Sequence, residues 1–499
     1  MKRTSGILLH ITSLPSKYGI GTLGSEAKNF VDFLAESGQK YWQILPLGHT
    51  DYGNSPYYTL SAFAGNPNLI DLEELIKDGL ISSFDADNEN WGREPSRVDF
   101  GCIYYAKRNV LRKAFKNGWD RYLGEIIEFQ NDNAEWLRDY STFMALKDHF
   151  EGKPWGQWPD KIKLCHAQGN VREAVDEYMS EIEDDIHFYV FCQFLFYKQW
   201  RSLKEYANSK NIEFIGDVPI YVPMDSADVW SNPENFQLTE DMQPKVVAGC
   251  PPDGFTEDGQ LWGNPIYDWD KMKEDRYSWW QKRMMFASTL FDVIRFDHFR
   301  GLSSYWSIPF GETTAKNGKW VEGPGKELIA VLNDKCSDTK FIAEDLGYLT
   351  EDVYELLKFS GYPGMKILEF AYDNRMPNDY RPHVYEKNCI CYAGTHDNMT
   401  IKQWLESLSQ ENLQYVKDYM ALNKEEGYVY GVIRTGMSSV ADLFISQMQD
   451  WLELGEDARM NTPGSMGNEN WSWRALPGSF SAELKEKIKF YTELYERLP

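Results

Sequence analysis

Three short segments decide the fold of this chain: DVIRFDHFRG (292–301), FIAEDLG (341–347) and ICYAGTHDN (390–398). In each of them an apolar, β-prone run ends at an acidic residue: Asp297, Glu344 and Asp397 respectively. Parallel strands that alternate with helices bring their carboxyl ends to one face of a barrel, and catalytic groups of such barrels lie at that face. The segments therefore predict three carboxyl groups gathered at the mouth of a parallel barrel.

The rest of the chain repeats the alternation of short β-rich runs and helical periodicity that is typical of a parallel sheet. Candidate strands lie at residues 6–11, 41–46, 213–218, 293–296, 341–343, 365–370, 389–393 and 458–460. Eight strands close a (β/α)8 barrel, and the count here depends on the eighth segment. We therefore predict an α/β fold, a (β/α)8 TIM barrel, that forms a single catalytic domain over residues 1–499.

Two long segments interrupt this alternation. Residues 81–201 are rich in charge and helical patterns and predict a mostly helical insertion around the carboxyl-terminal face of the barrel. The segment VVAGCPPDGFTEDGQLWGNP (246–265) has so much Gly and Pro that we expect an irregular, shaped active-site loop. Residues 482–498 have helical periodicity, and little chain follows the eighth candidate strand, so no C-terminal β domain is expected.

The composition restricts the partners. The 499 residues include 76 acidic and 52 basic side chains, a formal charge of −24 that would repel nucleic acid. The binding of neutral glycans does not depend on the net charge of the protein. Aromatic residues make up 15% of the chain, which suits stacking on sugar rings as well as ordinary core packing.

The cysteines and the lengths of the apolar runs indicate where the protein is located in the cell and whether it binds a metal. The seven cysteines are scattered without a Cys-x-x-Cys pair, so neither a disulfide framework nor a zinc site is expected. No run approaches the ~18 apolar residues of a membrane span, and the first residues lack the apolar run of a signal peptide. We expect a cytoplasmic protein with no membrane partner, no metal and no cofactor.

The three acids suit glycoside chemistry. Arg295 and Asp297 are two residues apart on one strand and point the same way, so the guanidinium favours the ionised, nucleophilic form of Asp297. A retaining mechanism needs a second carboxyl group ~5 Å from the nucleophile, and Glu344 is the candidate acid/base. Asp397 is the candidate group that binds ring hydroxyls more tightly in the transition state. His298 and His396 adjoin two of these acids and could donate hydrogen bonds to hydroxyls.

Other readings of the same residues remain open. Any one of these acids alone could be a structural ion pair or a helix cap. The Asp297-His298 and His396-Asp397 pairs could belong to a metal-dependent phosphohydrolase, although no further His cluster supplies ligands. A glycan-binding protein on an inactive barrel is a third possibility.

The chain resembles the amylomaltases (4-α-glucanotransferases, or disproportionating enzymes) of the α-amylase clan. The four short motifs of that clan are matched by FIGD (214–217), RFD (295–297), AED (343–345) and THD (395–397). Longer matching segments are GILLHITSLPSKYGIGTLG (6–24), SPYYTLSAFAGNPNLIDL (55–72) and PPDGFTEDGQLWGNPIYDW (251–269). Ordinary α-amylases carry a C-terminal β domain, which is not expected here.

The resemblance implies a retaining transglycosylase that cleaves α-1,4-glucans. Maltooligosaccharides or longer glucans would be donors, and glucose or a glucan would be the acceptor through its 4-hydroxyl. Asp297 would carry the glucosyl group, Glu344 would be the acid/base, and Asp397 would stabilise the transition state. A hydrolytic α-glucanase is the alternative. Oligomeric state is left open.

By the same resemblance, nine further residues would bind substrate: Tyr57, Asp217, Trp262, Asn264, Arg295, His298, Asp373, His396 and Asn461. Tyr57 and Trp262 could instead be loop-core aromatics, Asp373 a cap and Asp217 a strand-end anchor. The 246–265 segment, with Pro251, Pro252, Phe255 and Trp262, could cover the intermediate and exclude water.

Overall fold

The computed structural model describes residues 2–51, 53–252, 256–347, 349–372, 378–465, 467 and 469–499. The strands are β1 (Thr4–Leu8), β2 (Tyr41–Gln43), β3 (Glu213–Pro219), β4 (Val246–Cys250), β5 (Gln260–Pro265), β6 (Val293–Asp297), β7 (Ser304–Pro309), β8 (Lys319–Glu322), β9 (Lys340–Ala343), β10 (Gly364–Ile367), β11 (Cys389–Tyr392) and β12 (Leu443–Gln447).

Eight of these strands form the predicted parallel barrel. They pair in the order β10-β11-β12-β1-β2-β3-β6-β9. At the remaining seam the Ala343 amide donates to the Pro363 carbonyl at 3.0 Å, and the Asp345 carboxylate accepts from the Met365 amide at 2.6 Å. Asp345 therefore anchors the barrel wall, as expected for a side chain that points away from Glu344. The strands are apolar and buried on both faces, as helix-covered parallel strands are.

The eighth strand is not the one predicted. Residues 456–458 form a 3-10 helix, and the strand is β12, whose five residues are all buried. β12 pairs with β1 through Thr4 and Leu443 and with β11 through Ile390 and Leu443. The apolar run LFIS offers more buried surface than the segment around Arg459, and that decides which segment enters the sheet. Residues 459–461 are thereby free to cross the barrel mouth.

Helices surround the barrel and fill the long connection between β2 and β3. They are α1 (Ser25–Glu36), α2 (Leu72–Lys77), α3 (Ser83–Asp87), α4 (Phe100–Gly118), α5 (Leu123–Asp132), α6 (Leu137–His149), α7 (Asp160–Lys163), α8 (Cys165–Gln168), α9 (Val171–Asp176), α10 (Met179–Ser209), α11 (Ala227–Ser231), α12 (Trp269–Glu274), α13 (Ser278–Leu290), α14 (Gly325–Lys335), α15 (Glu351–Ser360), α16 (Ile401–Ser407), α17 (Gln410–Met420), α18 (Tyr428–Ser438), α19 (Met448–Trp451) and α20 (Ala482–Leu494).

The longest helix, α10, joins the inserted helices to the barrel. Its 31 residues include buried aromatics along much of its length. Near its C-terminal end Trp200 packs on Phe214 of β3, with ring centroids 4.9 Å apart. The inserted helices are therefore anchored by a helix that also covers the barrel.

The Gly- and Pro-rich segment at 246–265 is more regular than predicted. β4 and β5 pair antiparallel within it, and β4 also pairs with β7. A four-stranded sheet of order β5-β4-β7-β8 results. Gly259 (φ +68°) and Gly263 (φ +80°) adopt the left-handed backbone that L residues avoid, so glycine here permits the hairpin. Residues 253–255, including Phe255, lie outside the described part of the chain.

Candidate active site

Adjacent strands place Asp297 and Glu344 side by side at the barrel mouth. Phe296 of β6 is in register with Ala343 of β9, and the Glu344 amide donates to the Phe296 carbonyl at 3.0 Å. Asp297 directly follows Phe296, and Glu344 directly follows Ala343. Neighbouring strands lie ~4.8 Å apart, so the two carboxyl groups begin from adjacent positions.

Arg295 ties Asp297 to the wall of the barrel. Its Nη1 donates to Asp297 Oδ1 at 2.8 Å and to Asp217 Oδ2 at 2.6 Å. Tyr57 adds a third contact, since its hydroxyl donates to Asp217 Oδ2 at 2.7 Å. The Asp217 side chain is 0% exposed, so it lies behind Arg295 and Tyr57.

Glu344 accepts two backbone hydrogen bonds. The amide of His298 donates to Oε2 at 2.7 Å, and the amide of Leu346 donates to Oε1 at 3.0 Å. His298 has a left-handed backbone, with φ 56°. That conformation is unusual for a residue with a Cβ and is typical of strained functional sites.

Burial raises the pKa of both carboxyl groups. Removal from bulk water raises the pKa of Glu344 to about 7, and the neighbouring Asp297 charge adds to the shift. Burial also raises the pKa of Asp297 to about 6, against the opposing effect of Arg295. Because the guanidinium contacts Asp297 directly, the proton of the pair resides on Glu344 near neutral pH.

Asp397 stays ionised. Removal from bulk water opposes its charge, but His396 and Asn461 outweigh that effect and lower the pKa of Asp397 to about 2. His396 Nε2 lies 3.4 Å from Oδ2, and Asn461 Nδ2 donates to Oδ1 at 2.6 Å. The Asp397 side chain is 45% exposed and available to a ligand.

Aromatic rings surround these acids. Tyr57 stacks on the His396 ring with centroids 5.1 Å apart and planes 17° apart. Trp262 of β5 meets His298 edge to face at 4.8 Å. Burial lowers the pKa of His298 to about 3, so its imidazole is neutral. The His396 pKa is raised, because Asp397 outweighs the effect of burial.

A single open cleft of about 2700 Å³ contains this site. Its walls include nine of the residues singled out from the sequence: Tyr57, Trp262, Asn264, Arg295, Asp297, His298, Glu344, Asp397 and Asn461. Asp217 and His396 are buried against these walls, at 2% and 3% exposure. Asp373 lies outside the described residues.

Two residues at the site, Arg459 and Trp471, were not predicted. Arg459 donates through Nη2 to the Asp397 carbonyl at 2.8 Å and through Nε to the Asn461 carbonyl at 2.8 Å. The Trp471 ring lies 5.8 Å from that of His396, and its φ of 65° is left-handed. Neither follows a β-run in the sequence, so the strand-end criterion passes over them.

Two structural findings bear on the expected partners. Across the described ranges, every helix is too short or too polar to cross a bilayer. The same residues contain no group of three or more His, Cys, Asp or Glu side chains arranged to hold a metal ion.

Known proteins match this chain over nearly its whole length. A family model described as 4-alpha-glucanotransferase matches residues 9–478. A 4-alpha-glucanotransferase of Clostridium butyricum is 48% identical over 491 residues, spanning 98% of this chain and 100% of that protein. The Thermus thermophilus 4-alpha-glucanotransferase is 42% identical over 509 residues, which is 100% of both chains.

A solved structure has the same fold throughout. The amylomaltase from Streptococcus agalactiae, in complex with acarbose, is 44% identical and superimposes with a TM-score of 0.96 over 100% of both chains. The family model, the two relatives and this structure all extend across the barrel and its insertions. The chain belongs to the 4-alpha-glucanotransferase family.

Proposed function

We propose that this protein is a retaining 4-α-glucanotransferase that moves a segment of an α-1,4-glucan to the 4-hydroxyl of another glucan or of glucose. One observation carries the proposal: Asp297 and Glu344 end adjacent strands, and of the two only Asp297 contacts a guanidinium among the described residues. This gives one ionised and one protonated carboxyl group on neighbouring strands, which lie ~4.8 Å apart. Retaining enzymes need a separation of ~5 Å between their two carboxyl groups. Residues 1–499 act as one catalytic domain in this proposal.

In the first half of the reaction, an Asp297 oxygen attacks the anomeric carbon of the donor sugar. The bond from that carbon to the leaving 4-oxygen breaks, and Glu344 gives its proton to this oxygen. A covalent glucosyl–Asp297 ester results. Asp397 stabilises the positive charge that develops on the sugar ring.

In the second half, Glu344 is a base. It takes the proton from the 4-hydroxyl of the acceptor, whose oxygen attacks the anomeric carbon and releases Asp297. Each of the two displacements inverts the configuration of the anomeric carbon, so the product retains the α configuration of the donor. The β4–β5 hairpin and Trp262 flank the cleft beside His298 and are placed to keep water from the ester.

The remaining residues position the sugar. Tyr57, Asn264 and Asn461 line the cleft and would bind the donor, with Tyr57 also available for stacking. His298 and His396 would donate to ring hydroxyls. Asp217 would act through Arg295 and Tyr57, and Asp373 would bind hydroxyls one subsite further from the cleavage point.

The proposal is tested with maltotriose as the sole sugar. We expect glucose together with maltooligosaccharides longer than maltotriose, at a constant total number of reducing ends, because each cleavage is matched by a transfer. Thin-layer chromatography and a reducing-end assay measure the two quantities. Asp297→Asn, which removes the nucleophile, is the control and should form neither product.

A steady rise in reducing ends without longer products would instead identify a hydrolytic α-glucanase. Persistence of turnover in Asp297→Asn would contradict the assignment of the nucleophile. Acarbose, present in the solved structure of the Streptococcus agalactiae relative, should inhibit the wild-type protein.

A further inference from the structure

One tryptophan is exposed in the wall of the cleft and has no part in the mechanism above. Trp320, in β8, is 39% exposed, and it lines the cleft that contains the catalytic acids. The other tryptophans of the chain, all within the described ranges, are buried or half-buried. Trp320 therefore presents to the cleft a large apolar surface that core packing does not use, which is a feature of ligand sites.

The small antiparallel sheet holds the ring of Trp320 in place. Trp306 of β7 is in register with Trp320, and the two ring centroids lie 5.2 Å apart at an interplanar angle of 67°. Trp306 is fixed in turn, because its Nε1 donates to the Ala315 carbonyl at 2.8 Å. Cross-strand pairs of this kind stabilise a sheet through their side chains, so the Trp320 ring is positioned before any ligand arrives.

Arg300 covers one face of the same ring. Its guanidinium carbon lies 3.8 Å from the Trp320 ring centroid, which is a close cation–π contact. Arg300 is only 4% exposed, and its Nη2 donates to Ser304 Oγ at 3.2 Å. Since Arg300 occupies one face, the exposed surface of Trp320 belongs to the other face and the outer edge of the ring.

Both residues lie on the Glu344 side of the cleft. Arg300 directly follows Phe299, whose amide donates to the Glu344 carbonyl at 3.1 Å. In the proposed mechanism Glu344 protonates the leaving oxygen and later takes the proton of the acceptor hydroxyl. The leaving chain and the acceptor chain therefore extend from the cleavage point along this side.

The sheet also fixes how far Trp320 lies from the cleavage point. Trp262 of β5 meets His298 at 4.8 Å, and the His298 amide bonds to Glu344, so the β5 edge is beside the acid/base. β8 forms the other edge of the order β5-β4-β7-β8. Three strand spacings of ~4.8 Å separate the two edges by about 14 Å. A single sugar at Glu344 does not span that distance, whereas a chain of several sugars does.

We propose that Trp320 is an acceptor-binding residue, whose exposed face stacks on a glucose unit beyond the one that attacks the intermediate, while Arg300 holds the ring from behind. The proposal rests on the proposed function and adds to it a preference for acceptors of several sugars. A pyranose ring has an apolar face of C–H groups, and stacking it on the indole removes apolar surface of both from water.

The test separates the donor from the acceptor. Radiolabelled α-maltosyl fluoride is the donor, because its leaving group is a single ion that vacates the acceptor side, and glucose or maltotetraose is added as acceptor. In Trp320→Ala we expect KM for maltotetraose to rise ~3- to 10-fold, the loss of one aromatic stacking contact. The KM for glucose and both kcat values should stay near wild type, since glucose does not reach Trp320.

Two further variants at the same position distinguish stacking from packing. Trp320→Tyr keeps an aromatic face and should restore KM for maltotetraose to near the wild-type value. Trp320→Leu keeps an apolar side chain against Arg300 and Trp306 but offers no flat face, so it should raise this KM as Trp320→Ala does. Thermal denaturation followed by circular dichroism checks that each variant is folded.

Phe359→Ala is the matched control. Phe359 is 48% exposed and also has a cation over its ring, Lys326 Nζ at 5.9 Å, but it is not one of the described residues that line the cleft. Its replacement should change KM for neither acceptor.

The outcomes separate the proposal from its premise. An unchanged KM for maltotetraose in Trp320→Ala and Trp320→Leu, or an equal rise for glucose and maltotetraose, would overturn the acceptor-binding role. If the wild-type protein passes the labelled maltosyl group to neither acceptor, the proposed function itself fails. If it elongates both acceptors while the variants keep both KM values, only the assignment of Trp320 fails.

Discussion

Asp297 and Glu344 occupy equivalent positions on neighbouring strands and differ in what contacts them. Asp297 bonds to the Arg295 guanidinium at 2.8 Å, and Glu344 bonds to two backbone amides. A full positive charge favours ionisation more strongly than neutral amides do, so the proton of the pair is held by Glu344. At this scale the proposed division into nucleophile and acid depends on one arginine.

The proposed role of Glu344 as acid can be tested separately from its proposed role as base. Glu344→Gln should lower transfer from maltotriose by ~10²- to 10⁴-fold, because proton donation to the leaving oxygen is lost. With maltosyl fluoride, whose leaving group needs no proton, formation of the glucosyl-enzyme should persist, and fluoride release measures it. Equal losses with both donors would contradict the assignment of the acid.

The pH dependence of activity should reflect the same pair. Since the pKa of Glu344 is raised to about 7, the acid form is lost above that pH and kcat/KM for maltotriose should fall. On the acid side activity should fall as Asp297, with its pKa raised to about 6, gains a proton. The rate of fluoride release from maltosyl fluoride by Glu344→Gln should not fall at alkaline pH. If it still falls, a group other than Glu344 causes the alkaline decline in activity.

Among the elements, β12 and the segment after it bring several groups to the site. β12 completes the sheet, α19 brings Asp450 to the Ile401 amide at the end of the loop that carries Asp397, and residues 459–461 bring Arg459 and Asn461 to Asp397. A shift of β12 in register would move all of these groups together. The third acid therefore depends on an element about fifty residues further along the chain.

The buried carboxyl group of Asp450 leads to a prediction about how the free energy of unfolding depends on pH. Burial raises the pKa of Asp450 in the folded state from the ordinary value of 3.8 to about 7, so the folded state binds this proton more tightly. That contribution is complete below about pH 4 and is lost as pH rises through about 7, at about 1.4 kcal/mol per pKa unit. Asp450→Asn cannot titrate, so it should lose less stability than wild type between pH 4 and 8.

Urea denaturation at several pH values measures this difference. Asp71→Asn is a suitable control, because it replaces a carboxyl group that is similarly buried but contacts Thr22 and the Glu74 amide. Parallel stability curves for wild type and Asp450→Asn would show that Asp450 does not titrate in this range.

On the scale of the whole molecule, two arginines join the first strand to the last elements of the chain. Arg497 is 0% exposed and donates to the carbonyls of Thr4 and Met437 at 2.8 and 2.7 Å. Arg3 donates to the carbonyls of Met437 and Ser439. The turn between α18 and β12 is thus held against β1, which secures the barrel where β1 and β12 pair.

Replacing Arg497 should destabilise the whole barrel. Arg497→Ala leaves a cavity and several buried carbonyl groups without their donor, so we expect a loss of about 3 kcal/mol or more in the free energy of unfolding. Thermal denaturation followed by circular dichroism measures it, with Arg172→Ala, on a side chain that is 89% exposed, as control. An unchanged Tm would contradict the role of Arg497; kcat well below Tm should not change, because Arg497 is not one of the residues that line the cleft.

Seven barrel strands and the three acids could be predicted because their signals are local. An apolar β-run that ends in a carboxylate is contained within ten residues, and parallel strands bring such ends together. β12 was missed because the segment at 458–460 was interpreted as the eighth strand, whereas the apolar run at Leu443–Gln447 forms it. The antiparallel sheet was missed because Gly and Pro signal turns without revealing that the chain on either side of a turn pairs.

The sequence by itself determined the barrel and the placing of three acidic side chains at its mouth, since both follow from side-chain periodicity along short runs. Only the tertiary structure decided which groups surround each acid. Asn461 meets Asp397 across 64 positions of sequence, and Arg295 meets Asp217 across 78. Such contacts arise from the closure of the sheet, which brings distant strand ends to one rim, and no local pattern encodes which of them will touch.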